Sequence, residues 1–429
     1  MKNPEKTNYK LQSLISGNIF DDSGWILDPP ENDAPGFVRA IYENEQLILR
    51  GDDHGLYTFA NWLPIGRELK GSSAPVTYKS KGLASKLGLT NLYITFSGYW
   101  PEKGARMSTC SFKETEAYSV CGRLNPLEKK ILVVASAGNT SRSFARVCSD
   151  NNIPLLLCVP EDYIDTLWFD QPINDNVKLI ASRSGSDYFD AIHLSNLVCQ
   201  LDNFIPEGGS RNVARRDGMG TTVLSAATTI GEIPEYYFQA IGSSTGAISA
   251  WEANLRLIRD GRFGNRKMKL MVSQNKPFTP IYDAWKADSR EILPLNDDLA
   301  RKQVEEILAK VLSNRKPSYS LTGGLYDAMK DAGGDVLLAS NDDAFKAAKL
   351  FEETEGIDIH PAAAVATATL MNAAKNGTIK KDAIIMLNIT GGGEERFKRE
   401  HSMHYLKPSL VFDIDPDIEE VEQKLQDIF

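Results

Sequence analysis

The chain has 429 residues, of which 42% are hydrophobic and 24% charged, as is typical of a folded globular protein without long disordered regions. Its 48 basic and 57 acidic residues give a formal net charge of −9, which argues against a nucleic-acid-binding surface. This length favours two or three domains. The polar N-terminus lacks an export signal and no apolar run reaches transmembrane length, so we expect a cytoplasmic protein without a membrane partner.

The cysteines predict neither a disulfide framework nor a metal site. They are odd in number, lack the CxxC spacing of zinc ligands and mostly lie in apolar stretches. We therefore expect buried, reduced thiols. The five residues are Cys110, Cys121, Cys148, Cys158 and Cys199.

Short apolar runs alternate with helical segments along most of the chain. Residues 1–75 differ, because they are richer in Gly, Asp and aromatic residues, and we interpret them as an N-terminal extension or lid. The predicted strands are 92–96, 131–135, 155–159, 177–180, 237–241, 270–273, 336–339 and 384–388. The predicted helices are 140–150, 188–199, 245–260, 344–354 and 361–376.

This alternation predicts an α/β fold. Several of the strands lack polar alternation, as expected for parallel strands that are covered on both faces. The polar segment 201–220 is long for a loop, so we interpret it as a crossing between two α/β lobes.

The turn after strand 131–135 contains Ser136, Ala137, Gly138, Asn139 and Thr140 and leads into a helix. Ligands collect where the carboxyl end of a strand meets a helix N-terminus, because that end offers unpaired N–H donors and partial positive charge. The turn therefore suits a carboxylate, and Asn139 can donate to a ring hydroxyl. A plain loop with Asn139 or Thr140 capping the helix is an alternative that the composition leaves open.

A second turn, between strand 237–241 and the next helix, consists of Gly242, Ser243, Ser244, Thr245 and Gly246. Glycines let the backbone approach an anion closely, and hydroxyls add donors, so the turn is a candidate phosphate site. The lysine of a P-loop is absent, as is the GxGxxG pattern of dinucleotide-binding proteins. A glycine turn with serine caps is again the alternative.

A third turn follows strand 384–388 and contains Thr390 before three consecutive glycines. It can present the threonine hydroxyl, although glycine-rich turns also simply end strands. Lys113, in the stretch Cys110-Ser111-Phe112-Lys113-Glu114, precedes all three turns. Each of these features is weak alone, and their order along the chain carries more information.

That order resembles the fold-type II pyridoxal phosphate enzymes, and within them threonine synthase. The similarity runs from about residue 55 onward and includes several short blocks in the order that the family has. The blocks are 55–64, which ends in Leu-Pro, 74–77, 89–94, 212–218, which resembles "NPxRxEG", and Glu355-Gly356 with Pro361-Ala362.

The resemblance implies a tryptophan synthase β-like fold with two open, twisted α/β domains and pyridoxal 5'-phosphate between them. It implies a large cofactor-binding domain of residues 76–114 and 221–429, and a smaller, mobile domain of residues 115–220. Lys113 would bind the cofactor covalently, Asn139 its ring hydroxyl, Gly242 to Gly246 its phosphate and Thr390 its pyridine nitrogen. A neutral hydroxyl at that nitrogen suits β-elimination, in which a good leaving group shares the work.

The chain departs from the family at two places. Threonine synthases usually have Asp-Arg after the lysine, whereas Glu114, Thr115 and Glu116 follow Lys113 here. Arg142 replaces a small residue soon after Asn139, and we expect it near the mouth of the site. Together with Lys103 and Arg106 it is a candidate for binding anionic substrate groups, as are Ser136, Ala137, Gly138 and Thr140. A solvated surface position is the alternative for each of the three cations.

These departures resemble a paralogue of threonine synthase in methane-producing archaea. That resemblance implies a transferase that converts O-phospho-L-serine and sulfite into L-cysteate and phosphate, for coenzyme M biosynthesis, and a cytoplasmic homo-oligomer whose partners are small molecules. The alternatives are a threonine synthase that acts on O-phosphohomoserine, a β-replacement enzyme that uses sulfide, and an anion-binding module without chemistry.

Overall fold

A computed structural model gives the structure of the protein and describes residues 6–30, 35–136, 138–186 and 188–428. The strands are β1 (Tyr9–Ser13), β2 (Ile19–Phe20), β3 (Val38–Tyr42), β4 (Val76–Lys79), β5 (Asn91–Phe96), β6 (Tyr99–Trp100), β7 (Ala105–Arg106), β8 (Ile131–Ala135), β9 (Leu155–Pro160), β10 (Trp168–Phe169), β11 (Val177–Ser182), β12 (Phe204–Pro206), β13 (Tyr236–Ala240), β14 (Lys269–Asn275), β15 (Asp335–Ala339), β16 (Ile384–Ile389), β17 (His404–Tyr405) and β18 (Leu410–Phe412).

The helices are α1 (Gly82–Leu87), α2 (Lys113–Arg123), α3 (Asn139–Asp150), α4 (Tyr188–Val198), α5 (Val213–Ile230), α6 (Thr245–Asp260), α7 (Pro280–Lys286), α8 (Asp297–Glu306), α9 (Leu325–Ala332), α10 (Asn341–Glu355), α11 (Pro361–Lys375), α12 (Glu394–Glu400) and α13 (Ile418–Leu425). Short 3-10 segments are Asp52–Trp62, Pro101–Lys103, Glu161–Thr166, Gly209–Arg211 and Lys310–Leu312. Within the described ranges, no helix is long and apolar enough to cross a membrane.

The larger sheet has the strand order β15-β14-β13-β16-β5-β4, and all pairs are parallel except β4 with β5. Both of its faces are buried, because alternate residues of each strand point to opposite sides. In β16, Ile385 and Leu387 pack into the core on the α11 side, whereas Met386 packs into the core formed with α5 and α6. The predicted α/β class with buried parallel strands is confirmed.

The smaller sheet is wholly parallel and has the order β12-β8-β9-β11-β18. Its last strand comes from the C-terminus, and Phe412 packs against Ile180, Val421 and Leu425. The expected assignment of all of 221–429 to the larger domain is therefore corrected for the C-terminal residues, because β18 forms its backbone hydrogen bonds with β11. The sequence alone gave no sign of this long-range pairing, and the mobility of the smaller domain stays a prediction.

The N-terminal region forms a three-stranded antiparallel sheet, β2-β1-β3, which packs on the helices of the larger domain. Buried charged side chains of α5 and α2 attach this N-terminal region to the rest of the protein. Arg216 donates to the carbonyl of Val38, and its Nε lies 2.9 Å from Glu252. Arg123 bonds Asp22 at 2.8 Å. The extension expected for residues 1–75 thus contains a small sheet fixed to the body of the protein.

The eight predicted strands and five predicted helices all exist, and their ends differ by at most a few residues. No periodic pattern in the sequence predicts α2 or α5. Both are buried and carry polar residues on nearly every face, including Glu114 and Glu116 in α2 and Arg216 and Asp217 in α5. A helix buried all round has no simple polar and apolar stripe, so periodicity does not reveal it.

Candidate active site

The turns that follow β13 and β16 lie at one edge of the larger sheet, because these strands are neighbours and parallel. A bridge between Ser111 and Gly391 and a 3.0 Å hydrogen bond from the Phe112 N–H to the Thr390 carbonyl join the third turn to the segment that precedes α2. Lys113 is the first residue of α2. The structure therefore places Thr390 beside the residue that precedes Lys113.

The Lys113 amine is half-buried, and its Nζ lies 3.2 Å from Oε2 of Glu116. The two residues are three positions apart in a helix and so share one face. Burial lowers the pKa of Lys113, the charge of Glu116 raises it again, and the charge of Arg215 lowers it. A lowered lysine pKa increases the neutral, nucleophilic fraction of the amine near pH 7.

Glu116 is fully buried and connects three parts of the site. Its carboxylate accepts from Arg215 Nε at 2.9 Å, from Arg215 Nη2 at 2.5 Å and from the Thr140 hydroxyl at 3.2 Å. Burial alone would raise the pKa of Glu116, but Arg215 and Lys113 together lower it. Arg215 Nη1 also donates to Glu207 at 2.8 Å, and burial raises the pKa of Glu207.

The first turn contacts this network through Thr140, whose hydroxyl donates to Glu116. The Asn139 side-chain oxygen accepts from Arg142 at 2.8 Å, and both Asn139 and Thr140 are half-buried at the start of α3. Ser136 N–H donates to the Cys158 carbonyl, and its own carbonyl accepts from Ser141 at 2.8 Å. Gly138 is also half-buried. Ala137 lies outside the described residues, and the substrate-binding roles of this turn stay predictions.

The second turn forms the N-terminal end of α6. Ser244 has a positive φ of 71° and is buried, and its hydroxyl has no hydrogen-bond partner within the described parts of the chain. A Cβ on Gly242 would lie 2.7 Å from the Val311 carbonyl, and a Cβ on Gly246 would lie 2.4 Å from Gln239 Nε2. The glycines therefore permit close backbone packing. The unpaired hydroxyl leaves a donor at a helix N-terminus, where an anion is favoured.

Arg142 does not lie at the mouth of the site, and that expectation is corrected. Its side chain is only 3% exposed, and the guanidinium carbon lies 3.9 Å from the centre of the Trp168 ring. Nη1 donates to the Thr166 carbonyl at 3.1 Å, and Nη2 donates to the Thr109 carbonyl at 3.0 Å as well as to Asn139. The sequence shows only that Arg142 lies in the first turn of a helix, whereas packing between elements decides which way it points.

Lys103 and Arg106 both lie at the surface. The Lys103 ammonium lies 4.5 Å from the Tyr78 ring centre and 5.4 Å from that of Trp100. Aromatic faces attract cations without neutralising them. The substrate-binding roles proposed for Lys103 and Arg106 stay predictions.

Glu114, which stands where threonine synthases have aspartate after the lysine, bonds the loop before α2, whereas the ion pair of Lys113 is with Glu116. Glu114 is 2% exposed and accepts from the Thr109 backbone N–H at 2.5 Å and from the Ser108 hydroxyl at 3.4 Å. Burial raises the pKa of Glu114 to about 7. Its role is to hold the loop that precedes α2.

No sequence pattern places Glu116, Arg215 or Glu207 in the site. In the sequence, Glu116 belongs to a departure from threonine synthases and Arg215 to a block that is similar to theirs. The spacing of three residues between Lys113 and Glu116 was a usable signal, given a helix. The contact between Arg215 and Glu116 joins α5 to α2 and needs the tertiary structure.

These residues fit the pyridoxal 5'-phosphate that the sequence resemblance implies. A half-buried amine with a lowered pKa can form a covalent bond with an aldehyde. The unpaired Ser244 hydroxyl and the end of α6 suit its phosphate, and Thr390 and Asn139 can face the two polar positions of its ring. Asn139, Ser244 and Thr390 follow the carboxyl ends of β8, β13 and β16, where ligands bind in open α/β sheets.

Residues 99–391 match the family described as pyridoxal-phosphate dependent enzyme. Among solved structures, maize serine racemase superposes with a TM-score of 0.56 at 13% identity, and the match covers 82% of this chain and 92% of the racemase. A pyridoxal 5'-phosphate-dependent aspartate racemase superposes with a TM-score of 0.55 at 13% identity, over 74% of this chain and 90% of that one. At this identity the likeness shows the fold.

Much closer relatives are curated as cysteate synthase. The protein of Methanosarcina acetivorans is 48% identical over 92% of this chain and 94% of its own length. The protein of Methanosarcina barkeri is 45% identical over 97% of this chain and 100% of its own length. The protein of Methanocella paludicola is 49% identical over 87% of this chain and 88% of its own length. The chain therefore belongs to the pyridoxal-phosphate dependent enzymes and, within them, to the cysteate synthase family.

Proposed function

We propose that this enzyme converts O-phospho-L-serine and sulfite into L-cysteate and phosphate in the cytoplasm. The similarity to cysteate synthases over nearly the whole length of the chain carries this proposal. In the reaction a Cβ–O bond breaks, a Cβ–S bond forms and phosphate leaves with the electron pair of the broken bond. No external oxidant or reductant is needed, so the reaction balances with the two substrates and a group that carries the α-proton.

Pyridoxal 5'-phosphate, when bound, withdraws electrons from the α-carbon of the amino acid and so makes its proton acidic. We assign the transfer of that proton to the Lys113 amine. Because burial lowers the pKa of Lys113, the amine can be neutral before it accepts the proton. Glu116, 3.2 Å from Nζ, then stabilises the ammonium that forms, and Arg215 fixes the carboxylate in place.

Both substrates are anionic, although the chain carries a net charge of −9. Local donors must therefore hold them. We propose that Ser136, Ala137, Gly138 and Thr140 bind the amino acid carboxylate at the N-terminal end of α3. Lys103 and Arg106 are the exposed cations that we propose for the approach of phosphate and sulfite groups. A homo-oligomer stays a prediction.

Purified enzyme loaded with cofactor tests the proposal when it is offered three substrate sets in parallel: phosphoserine with sulfite, phosphoserine with sulfide, and phosphohomoserine alone. Mass spectrometry of the amino acid product and an assay of released phosphate identify the reaction. We expect cysteate and phosphate in equal amounts from the first set. Threonine from the third set, without cysteate from the first, would replace the proposal by threonine synthase activity.

Lys113→Ala tests the role of the amine. We expect loss of the visible absorption of covalently bound cofactor together with a fall in turnover of about 10³-fold or more, because both depend on Nζ. Lys86→Ala, which removes an exposed lysine in the last turn of α1, is the matched control and should change neither. Turnover that survives in Lys113→Ala would show that another group moves the proton.

A further inference from the structure

The contact between Arg142 and Asn139 determines how the Asn139 amide faces the cofactor. We propose that Arg142 is a positioning residue: it holds the Asn139 side-chain oxygen and thereby directs the side-chain N–H toward the cofactor ring hydroxyl. The inference rests on the proposed placement of the cofactor beside Asn139. It gives Arg142 a role other than the binding of anionic substrate groups that the sequence predicts for it.

Hydrogen-bond chemistry allows only one orientation of the amide. A guanidinium has five N–H donors and no acceptor, so the Asn139 atom that lies 2.8 Å from Arg142 Nη2 must be the oxygen. The amide nitrogen then lies on the other branch of the side chain. Asn139 is half-buried, and no hydrogen bond joins its Nδ2 to a residue that the structure describes, so both of the amide protons are available to a ligand.

Arg142 can fix the amide because its own position does not depend on Asn139. Its guanidinium stacks on Trp168 and donates to the carbonyls of Thr109 and Thr166. Glu394 adds an opposite charge 3.6 Å away. These contacts come from separate elements, so Arg142 is held by the fold and Asn139 follows it.

The orientation matters because the two faces of an amide have opposite polarity. An N–H that points at the ring oxygen stabilises its deprotonated form, whereas an amide oxygen there would repel it. Without Arg142 the amide can rotate by half a turn at little steric cost, since its two ends are nearly the same size. Arg142 therefore controls both cofactor affinity and the ionisation of the ring oxygen.

The experiment uses the cofactor-loaded enzyme and measures two quantities other than turnover. One is the ratio of the visible to the near-ultraviolet absorption band, which follows deprotonation of the ring oxygen. The other is the dissociation constant of pyridoxal 5'-phosphate. For Arg142→Met we expect a lower band ratio and a dissociation constant raised about tenfold, the equivalent of one hydrogen bond to a charged group.

Arg146→Met is the matched control. Arg146 lies one helical turn further along α3, is 6% exposed and bonds Asp150 on its own helix. It is as buried as Arg142 but does not contact Asn139, so it should leave both quantities unchanged. A change equal to that of Arg142→Met would show that any buried arginine of α3 has this effect, and it would overturn the proposal.

Two further variants separate positioning from general stability. If Arg142 acts through Asn139, then Arg142→Met made in an Asn139→Ala background should not lower the band ratio any further. Additive effects in that double variant would overturn the proposal. Should Arg142→Met fail to fold, Arg142→Gln decides the question: its amide can both donate and accept, so it no longer determines which end of the Asn139 amide faces it, and the band ratio should fall. A normal ratio in Arg142→Gln would contradict the inference.

These outcomes are distinguishable from failure of the proposed reaction. The band ratio and the dissociation constant need neither phosphoserine nor sulfite. An enzyme that makes another product would still show the Arg142 effect. Conversely, an enzyme that makes cysteate with an unchanged spectrum in Arg142→Met would retain its proposed function and lose this inference.

Discussion

Lys113 and Glu116 form the central charge pair of the site. The carboxylate is fully buried, and Arg215, Thr140 and the lysine all bond to it. A buried carboxylate without partners would take up a proton, so its charge depends on these cations. The pair thus connects α2 with the turn that carries Asn139 and with α5.

Glu116→Gln tests this pair. Because the charge of Glu116 raises the pKa of Lys113 while burial and Arg215 lower it, its removal should lower that pKa further. We expect the amine of the cofactor-free protein to become reactive toward an acylating reagent at a pH lower by about 1. Mass spectrometry of Lys113 labelling across a pH series gives the reactivity midpoint, which is the pH at which labelling is half-maximal.

Glu114→Gln is the control for the same helix. It removes a buried carboxyl that bonds the Thr109 N–H and does not contact Lys113. The reactivity midpoint should therefore stay where it is. An equal change in both variants would mean that the net charge of α2, and not the contact with Glu116, sets the pKa of Lys113.

At the level of elements, the N-terminal end of α6 has two features that favour an anion but destabilise the protein when no ligand is bound. Ser244, its N-cap, has a left-handed backbone with φ of 71°, and its buried hydroxyl has no partner among the described residues. Serine rarely adopts this conformation, and an unpaired buried hydroxyl is unfavourable. Both features are explained if the hydroxyl donates to the cofactor phosphate.

Ser244→Gly should change stability and binding in opposite directions. Glycine relieves the positive φ and removes the unpaired hydroxyl, so thermal unfolding of the cofactor-free protein should show a gain of about 1 kcal/mol. Loss of a donor to a phosphate should weaken cofactor binding about tenfold. Calorimetry and cofactor titration measure the two effects. A variant that binds cofactor normally would remove Ser244 from the phosphate site.

For the whole molecule, the C-terminus joins the two sheets. The chain leaves the larger sheet after β16, and β18 then adds to the edge of the smaller sheet beside β11. Phe412 is 1% exposed there and packs with Val421 and Leu425 of α13. The smaller sheet is therefore completed by residues that follow all three glycine-containing turns in sequence.

Phe412→Ala should destabilise the smaller sheet selectively. Truncation of a buried phenylalanine costs about 3–5 kcal/mol, and the loss should appear first as faster hydrogen exchange of the amides of β11. Exchange in β13 and β14 should change much less. Val411→Ala, in the same strand but 42% exposed, is the control. Equal acceleration in both sheets would show that they unfold as one unit.

The sequence by itself determined the α/β class, the main strands and the identity of the three turns, because these depend on local apolar runs and on residues that permit particular backbone conformations. The order of Lys113, Asn139, Gly242 to Gly246 and Thr390, together with several short blocks, was sufficient for a resemblance to the fold-type II pyridoxal phosphate enzymes. These properties depend on neighbouring residues or on the order of motifs along the chain. They can therefore be predicted without knowing which elements contact each other.

Tertiary structure decided everything that depends on contacts between distant elements. Arg142 was expected to face an anion at the mouth of the site, but Trp168 and two carbonyls hold it inside. Arg215 lies 99 residues from Glu116 in sequence yet bonds it directly. The C-terminal strand joins a sheet whose other strands lie far upstream. Buried charges and edge strands find their partners only through the packing of the whole chain, and local patterns do not encode that packing.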